Sequence, residues 1–115
     1  MSERENVITS LKELVSDLVN EEYDKIIQSG RIGRLTEYEV KNAITEYGGM
    51  LTLPSEQAFE SEALRMRKLK NYPEYSIAFD LWIDNERSDL SLTVNATIDN
   101  EGNVIKIEMQ DIHIL

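Results

Sequence analysis

The sequence predicts an α+β domain: two to three N-terminal helices packed on a C-terminal antiparallel meander of three to four strands. Three observations carry that expectation. Apolar residues recur at helical spacing through the first half of the chain, the period changes to two from Tyr75 onward, and glycines and turn residues stand where the pattern breaks. Helices segregated from antiparallel strands define this class. With 115 residues, 41% hydrophobic and 30% charged, a single domain over residues 1–115 is expected to bury its own core without disulfides or metal.

The first helix is predicted from Val7, Leu11, Leu14, Val15, Leu18 and Val19, continuing through Tyr23, Ile26 and Ile27 to a stop at Gly30. Ser2 and Glu5 have capping-box spacing at its start. A second helix is announced by Thr36 and Glu39, again at capping-box spacing, with Leu35 and Val40 placed as a hydrophobic staple. Val40, Ala43, Ile44 and Tyr47 form its stripe, and Gly48-Gly49 ends it. Met50 to Leu53 reads as a short strand closed by Pro54. Ser55 is expected to cap a third helix reaching about Lys70, whose terminal Arg65, Arg67, Lys68 and Lys70 would complement the negative end of the helix dipole.

Three strands follow. Ile77, Phe79, Leu81 and Ile83 alternate with polar or small residues and Trp82, and Leu90, Leu92, Val94, Ala96 and Ile98 do the same. The third strand alternates through Ile105, Ile107 and Met109, then shifts parity at Ile112 and Ile114, which a β-bulge near Gln110 and Asp111 would restore. Asp84 to Asp89 and Asp99 to Asn103 are the expected connections. Trp82 faces either a second core surface or solvent as an interface anchor.

Charge is the strongest functional signal: 22 Asp and Glu against 12 Lys and Arg, a formal net of −10. Such a surface repels nucleic-acid phosphates and anionic membranes, so a charged partner is expected to be a basic protein. Neither the mixed-charge N-terminus nor any apolar run reads as a signal peptide or a membrane span, which fits a cytoplasmic protein. There is no cysteine and one histidine, so no metal site, cofactor or cysteine nucleophile is expected. The glycines lack phosphate-loop spacing and Asp84 to Asp89 lacks a calcium-loop pattern.

Two sets of candidate site residues remain. A partner surface is expected to draw on Glu13, Asp17 and Glu21 from the first helix, Asp84, Glu86 and Asp89 from one connection, and Asp99 and Glu101 from the other. The alternative is a pocket in the concave side of the sheet, where Asp111 orients His113 as a general base with Asp80 and Trp82 nearby. The order of elements resembles the NTF2-like cone, which hosts small-ligand binding and catalysis of that kind. A homodimer through the sheet is a third, plainer arrangement.

Particular stretches point elsewhere. Gly33-Arg34-Leu35-Thr36, Ala43-Ile44-Thr45-Glu46-Tyr47-Gly48, Leu51-Thr52-Leu53-Pro54, Ala58-Phe59, Asp80-Leu81-Trp82, Arg87-Ser88-Asp89-Leu90-Ser91-Leu92 and Asp111-Ile112-His113-Ile114-Leu115 together resemble a family of small, stand-alone bacterial domains over about residues 33 to 115. That resemblance brings no catalytic residues. It implies a non-enzymatic immunity protein, of the kind found in contact-dependent growth inhibition, that binds and neutralises a cognate toxin domain, commonly a basic nuclease.

Overall fold

The computed structural model describes residues 2–70 and 72–115. Three helices, α1 (Glu3–Val19), α2 (Tyr23–Gln28) and α3 (Glu37–Tyr47), precede and cover one face of a five-stranded antiparallel sheet. The strands are β1 (Leu51–Thr52), β2 (Leu64–Lys68), β3 (Glu74–Ile83), β4 (Glu86–Ile98) and β5 (Val104–Ile114). β3, β4 and β5 form the meander, while β1 and β2 share the remaining edge of β3, one beside each end.

The caps form as their spacing requires. Ser2 accepts from the Glu5 backbone N–H at 3.1 Å, and Thr36 with Glu39 closes a complete capping box. Val7, Leu11, Leu14, Val15 and Leu18 bury one stripe of α1 against Phe79, Leu92, Val94 and Met109 of the sheet. Phe59, from a short 3₁₀ helix at Glu56–Glu60, stacks flat on Phe79 with ring centroids 4.7 Å apart.

Four expectations need correction. The first helix does not run to Gly30. It ends after Val19, where Glu21 takes a left-handed conformation (φ 56°) and the Glu22 N–H reaches back to the Asp17 carbonyl at 2.8 Å. With the Glu21 N–H on the Leu18 carbonyl, this is a Schellman ending that carries Glu where Gly is usual.

The third helix over 55–70 is absent. After the 3₁₀ turn, Ser61 accepts from the Ala63 N–H, and residues 64–68 pair with β3 instead. Arg65, Arg67 and Lys68 of the basic run therefore lie on an edge strand, with Lys70 in the turn beyond it, not at a helix C-terminus. Ile105 is not a core residue either. The register passes from Thr97↔Lys106 to Ile98↔Val104, so Ile105 is the extra residue of a bulge and is exposed. The connection between β3 and β4 is two residues, Asp84 and Asn85, both at positive φ as a type I′ hairpin requires. The bulge expected near Gln110 is present: Thr93 pairs with Asp111 and Val94 with Met109, which leaves Gln110 over.

The chain after α2 returns to the sheet at Arg31–Arg34. Met109 donates to the Arg31 carbonyl at 2.9 Å and accepts from the Arg34 N–H at 3.3 Å. Gly33 makes this approach possible: its φ is +61°, and a Cβ there would sit 2.1 Å from the Met109 carbonyl oxygen.

Candidate functional site

The sequence treats all carboxylates alike, whereas the fold divides them. Asp17 is buried under α2 and the following loop, where Arg31 binds it at 2.7 Å and Lys25 at 3.5 Å. Asp84 accepts from the Met50 N–H at 3.0 Å and thereby ties β1 to the hairpin. Asp89 accepts from the Tyr47 hydroxyl at 2.7 Å. Asp99 accepts from the Glu101 and Asn103 N–H groups inside its turn, and the Asn103 N–H above all holds its carboxyl below the ordinary range. These four expected partner contacts therefore also hold the fold together. Glu13, Glu21, Glu86 and Glu101 are exposed and have no hydrogen-bond or ion-pair partner among the described residues, as is true of Glu22, Asp24 and Glu46.

The alternative set lies on the face of the sheet that the helices leave open. Asp80, Ser91 and His113 stand in register across β3, β4 and β5, with Asp111 beside Thr93. His113 Nδ1 is 3.0 Å from Asp111 Oδ2, but both side chains are solvent-exposed. They do not enter the helix-covered concave side, because the bulge at Gln110 turns Ile112 to that side in their place. Asp80 is 2% exposed and bound by two guanidiniums: Arg65 at 2.8 Å and 3.1 Å, and Arg87 at 2.9 Å and 3.0 Å. Burial pushes its carboxyl up, but the hydrogen bonds from Arg65 and Arg87 outweigh that and hold it below the ordinary value. Trp82, on the same face, is half-buried, with its indole N–H enclosed and unpartnered.

The feature that the sequence did not reveal is a groove of about 800 Å³ between the end of α1, α3 and β1. Leu18 and Val19 form one wall, Ile44 and Thr45 another, and Leu51 to Leu53 the third. Tyr23 closes the floor, with the Lys41 ammonium 4.9 Å above its ring and bonded to Glu37 at 2.6 Å. Met50 and Leu53 stand at the mouth, 69% and 57% exposed. Irregular backbone builds the rim: Glu21 at φ 56°, Gly48 and Gly49 at +93° and +81°, Asp84 and Asn85 at 51° and 65°. Gly49 has no room for a side chain, since a Cβ would lie 2.5 Å from Ile83 Cγ2 and 2.7 Å from Asp84 Oδ2. Positive φ at non-glycine positions is costly and clusters at functional surfaces. The carboxylate of Glu21 lines this groove, and that of Asp84 lies against Gly49 beside it.

Among the described residues no helix is long and apolar enough to cross a membrane, and no cluster of His, Asp and Glu has the makings of a metal site. No curated protein and no solved structure matches the chain. A family match does extend over residues 15–115, nearly the whole chain, and by it the protein belongs to the family described as Domain of unknown function (DUF7668).

Proposed function

We propose that this protein acts by binding: it is a non-enzymatic, cytoplasmic immunity protein whose acidic helical side engages the basic surface of a cognate toxin domain, of nuclease type, and neutralises it. The observation that carries this reading is the division among the carboxylates. Through their side chains, Glu13 on α1, Glu21 and Glu22 in the turn after it, Asp24 on α2 and Glu46 on α3, with Glu86 at the hairpin, hold nothing among the described residues, whereas eight of the cations, including Lys12, Arg31, Lys41 and Arg65, are engaged in ion pairs. Much of the surplus of −10 therefore rests on carboxylates that the fold leaves free for a partner. Like charges kept close together oppose compactness and aid solubility, and they also accelerate encounter with a basic surface to roughly 10⁸–10⁹ M⁻¹s⁻¹ at low salt. An inhibitor that competes with a toxin's polyanionic substrate needs that speed. The exposed Met50 and Leu53 add apolar area beside the charge.

The test is a binding titration against the toxin domain encoded beside the gene, run from roughly 50 to 500 mM salt, a range over which the screening length shortens about threefold. A complex that weakens at least tenfold across that range supports the reading. Absence of a complex with any basic domain from that neighbourhood, or affinity indifferent to salt, overturns it.

A further inference from the structure

The β1 groove has a free backbone edge, and this specifies its occupant further. Met50 directs its N–H to the Asp84 carboxylate and its carbonyl to the Asp84 N–H at 2.8 Å, so both of its polar groups turn toward the hairpin. The strand alternation then turns the N–H and carbonyl of Leu51 the opposite way, toward the groove that Leu51 lines. Neither has a partner among the described residues. The groove therefore offers three things side by side: unpaired strand backbone, an apolar cleft walled by Leu18, Ile44 and Leu51 with the adaptable Met50 at its mouth, and an unpaired carboxylate at Glu21.

We propose that this groove seats an extended segment of a basic protein partner, which pairs its backbone with Leu51, places an apolar side chain between Met50 and Ile44, and sets a neighbouring Lys or Arg against Glu21. The inference deepens the binding reading above and rests on it for the partner's basic character. Charge complementarity selects this occupant. A second copy of the chain brings its own excess of acid to a rim already carrying Glu21, with Asp84 against Gly49 beside it, and a nucleic acid brings phosphates. Lys41, the cation in the lining, is already held by Glu37 and the Tyr23 ring and leaves the rim acidic.

The experiment uses the full chain, ¹⁵N-labelled, titrated with the capped peptide Lys-Leu-Lys-Val-Lys and, separately, with its counterpart Glu-Leu-Glu-Val-Glu. The basic peptide is expected to give saturable shifts centred on the amides of Ile44, Met50, Leu51 and Leu53, with a Kd of about 1 mM or tighter. Glu21→Asn, which keeps the left-handed backbone that Asn tolerates and deletes the charge, is expected to weaken binding about three- to fivefold. Met50→Asp, at an exposed position, is expected to abolish it. Equal shifts from the acidic peptide, shifts centred on another face, or no saturation overturn the inference. If the toxin domain binds in a salt-sensitive way while the peptide leaves the groove untouched, this inference fails and the functional reading stands. Saturable groove binding with no toxin complex has the reverse meaning.

Discussion

Glu21→Gly separates the stability of this fold from its proposed use. Glu21 occupies the C′ position of a Schellman ending, with φ at 56°, its N–H on Leu18 and the next N–H on Asp17. A side chain in that conformation costs roughly 1–2 kcal/mol through the close approach of Cβ to the backbone. Glycine removes that penalty but returns about 0.5–1 kcal/mol through the greater freedom of the unfolded chain. Glu21 makes no ion pair or hydrogen bond through its side chain among the described residues, so the other loss is its longer-range attraction to Lys41, which solvent screens. The net gain is about 0.5–1 kcal/mol. For 115 residues, at about 2.1 cal/mol/K of unfolding entropy per residue, the melting temperature rises by about 2–4 °C. Calorimetry at neutral pH, with a urea titration to show an unchanged slope, measures it. The control is Glu22→Gly, at φ −81°, which is expected to lower stability by a similar amount. If Glu21→Gly melts at or below the parent temperature, the Schellman argument is wrong. If it melts higher and also binds the basic peptide less well, Glu21 is retained in its strained conformation for the binding its carboxylate provides and not for folding.

Other substitutions probe the remaining contacts. Gly33→Ala forces a Cβ onto the Met109 carbonyl at positive φ and is expected to destabilise by about 3 kcal/mol or more, read from the urea midpoint. Phe59→Ala empties the stack on Phe79 and is expected to remove about 3–5 kcal/mol; loss under 1 kcal/mol would mean that the 3₁₀ segment contributes little to the core. Asp80→Asn leaves two half-exposed arginines without their carboxylate, so a loss of about 1–3 kcal/mol at neutral pH is expected. Because the folded-state value of Asp80 is lowered, its contribution is complete above the ordinary carboxylate range and fades as pH falls through the lowered value. The gap between parent and Asp80→Asn should therefore close below about pH 4. A gap that persists in acid would show that the pairing is not electrostatic.

The helical caps and the meander were legible because local chemistry decides them. Thr36 and Glu39 satisfy one another within a single turn, and Ile77, Phe79, Leu81 and Ile83 recur at period two. β2 was not legible. Ala58, Phe59, Met66 and Leu69 fit a helical period, whereas Leu64, Met66 and Lys68 fit a strand, and five residues cannot discriminate between these. The free edge of β3 and the need of buried Asp80 for Arg65 decide it, and both are tertiary facts. The end of α1 was misread because the glycine expected at a left-handed cap is replaced by Glu21. The groove was invisible for a related reason. Its walls come from three elements far apart in the chain, and its only local traces are Gly48-Gly49 and the Asp84-Asn85 turn, each of which also reads as ordinary punctuation.

The docking of Arg31–Arg34 on Met109 also matters to the molecule as a colloid. β5 is the longest exposed edge of the sheet, and an uninterrupted edge of eleven residues is a template on which further chains can add and grow into fibrils. The clamp at Met109 cuts that edge into two short runs, and β2, which shares the opposite side of the sheet with the two-residue β1, carries Arg65, Arg67 and Lys68, which repel an incoming copy of the same strand. By this argument Gly33 guards against edge-to-edge association as well as permitting the docking. Gly33→Ala is expected to form thioflavin-positive aggregates under gentle agitation, at concentrations where the parent stays monodisperse.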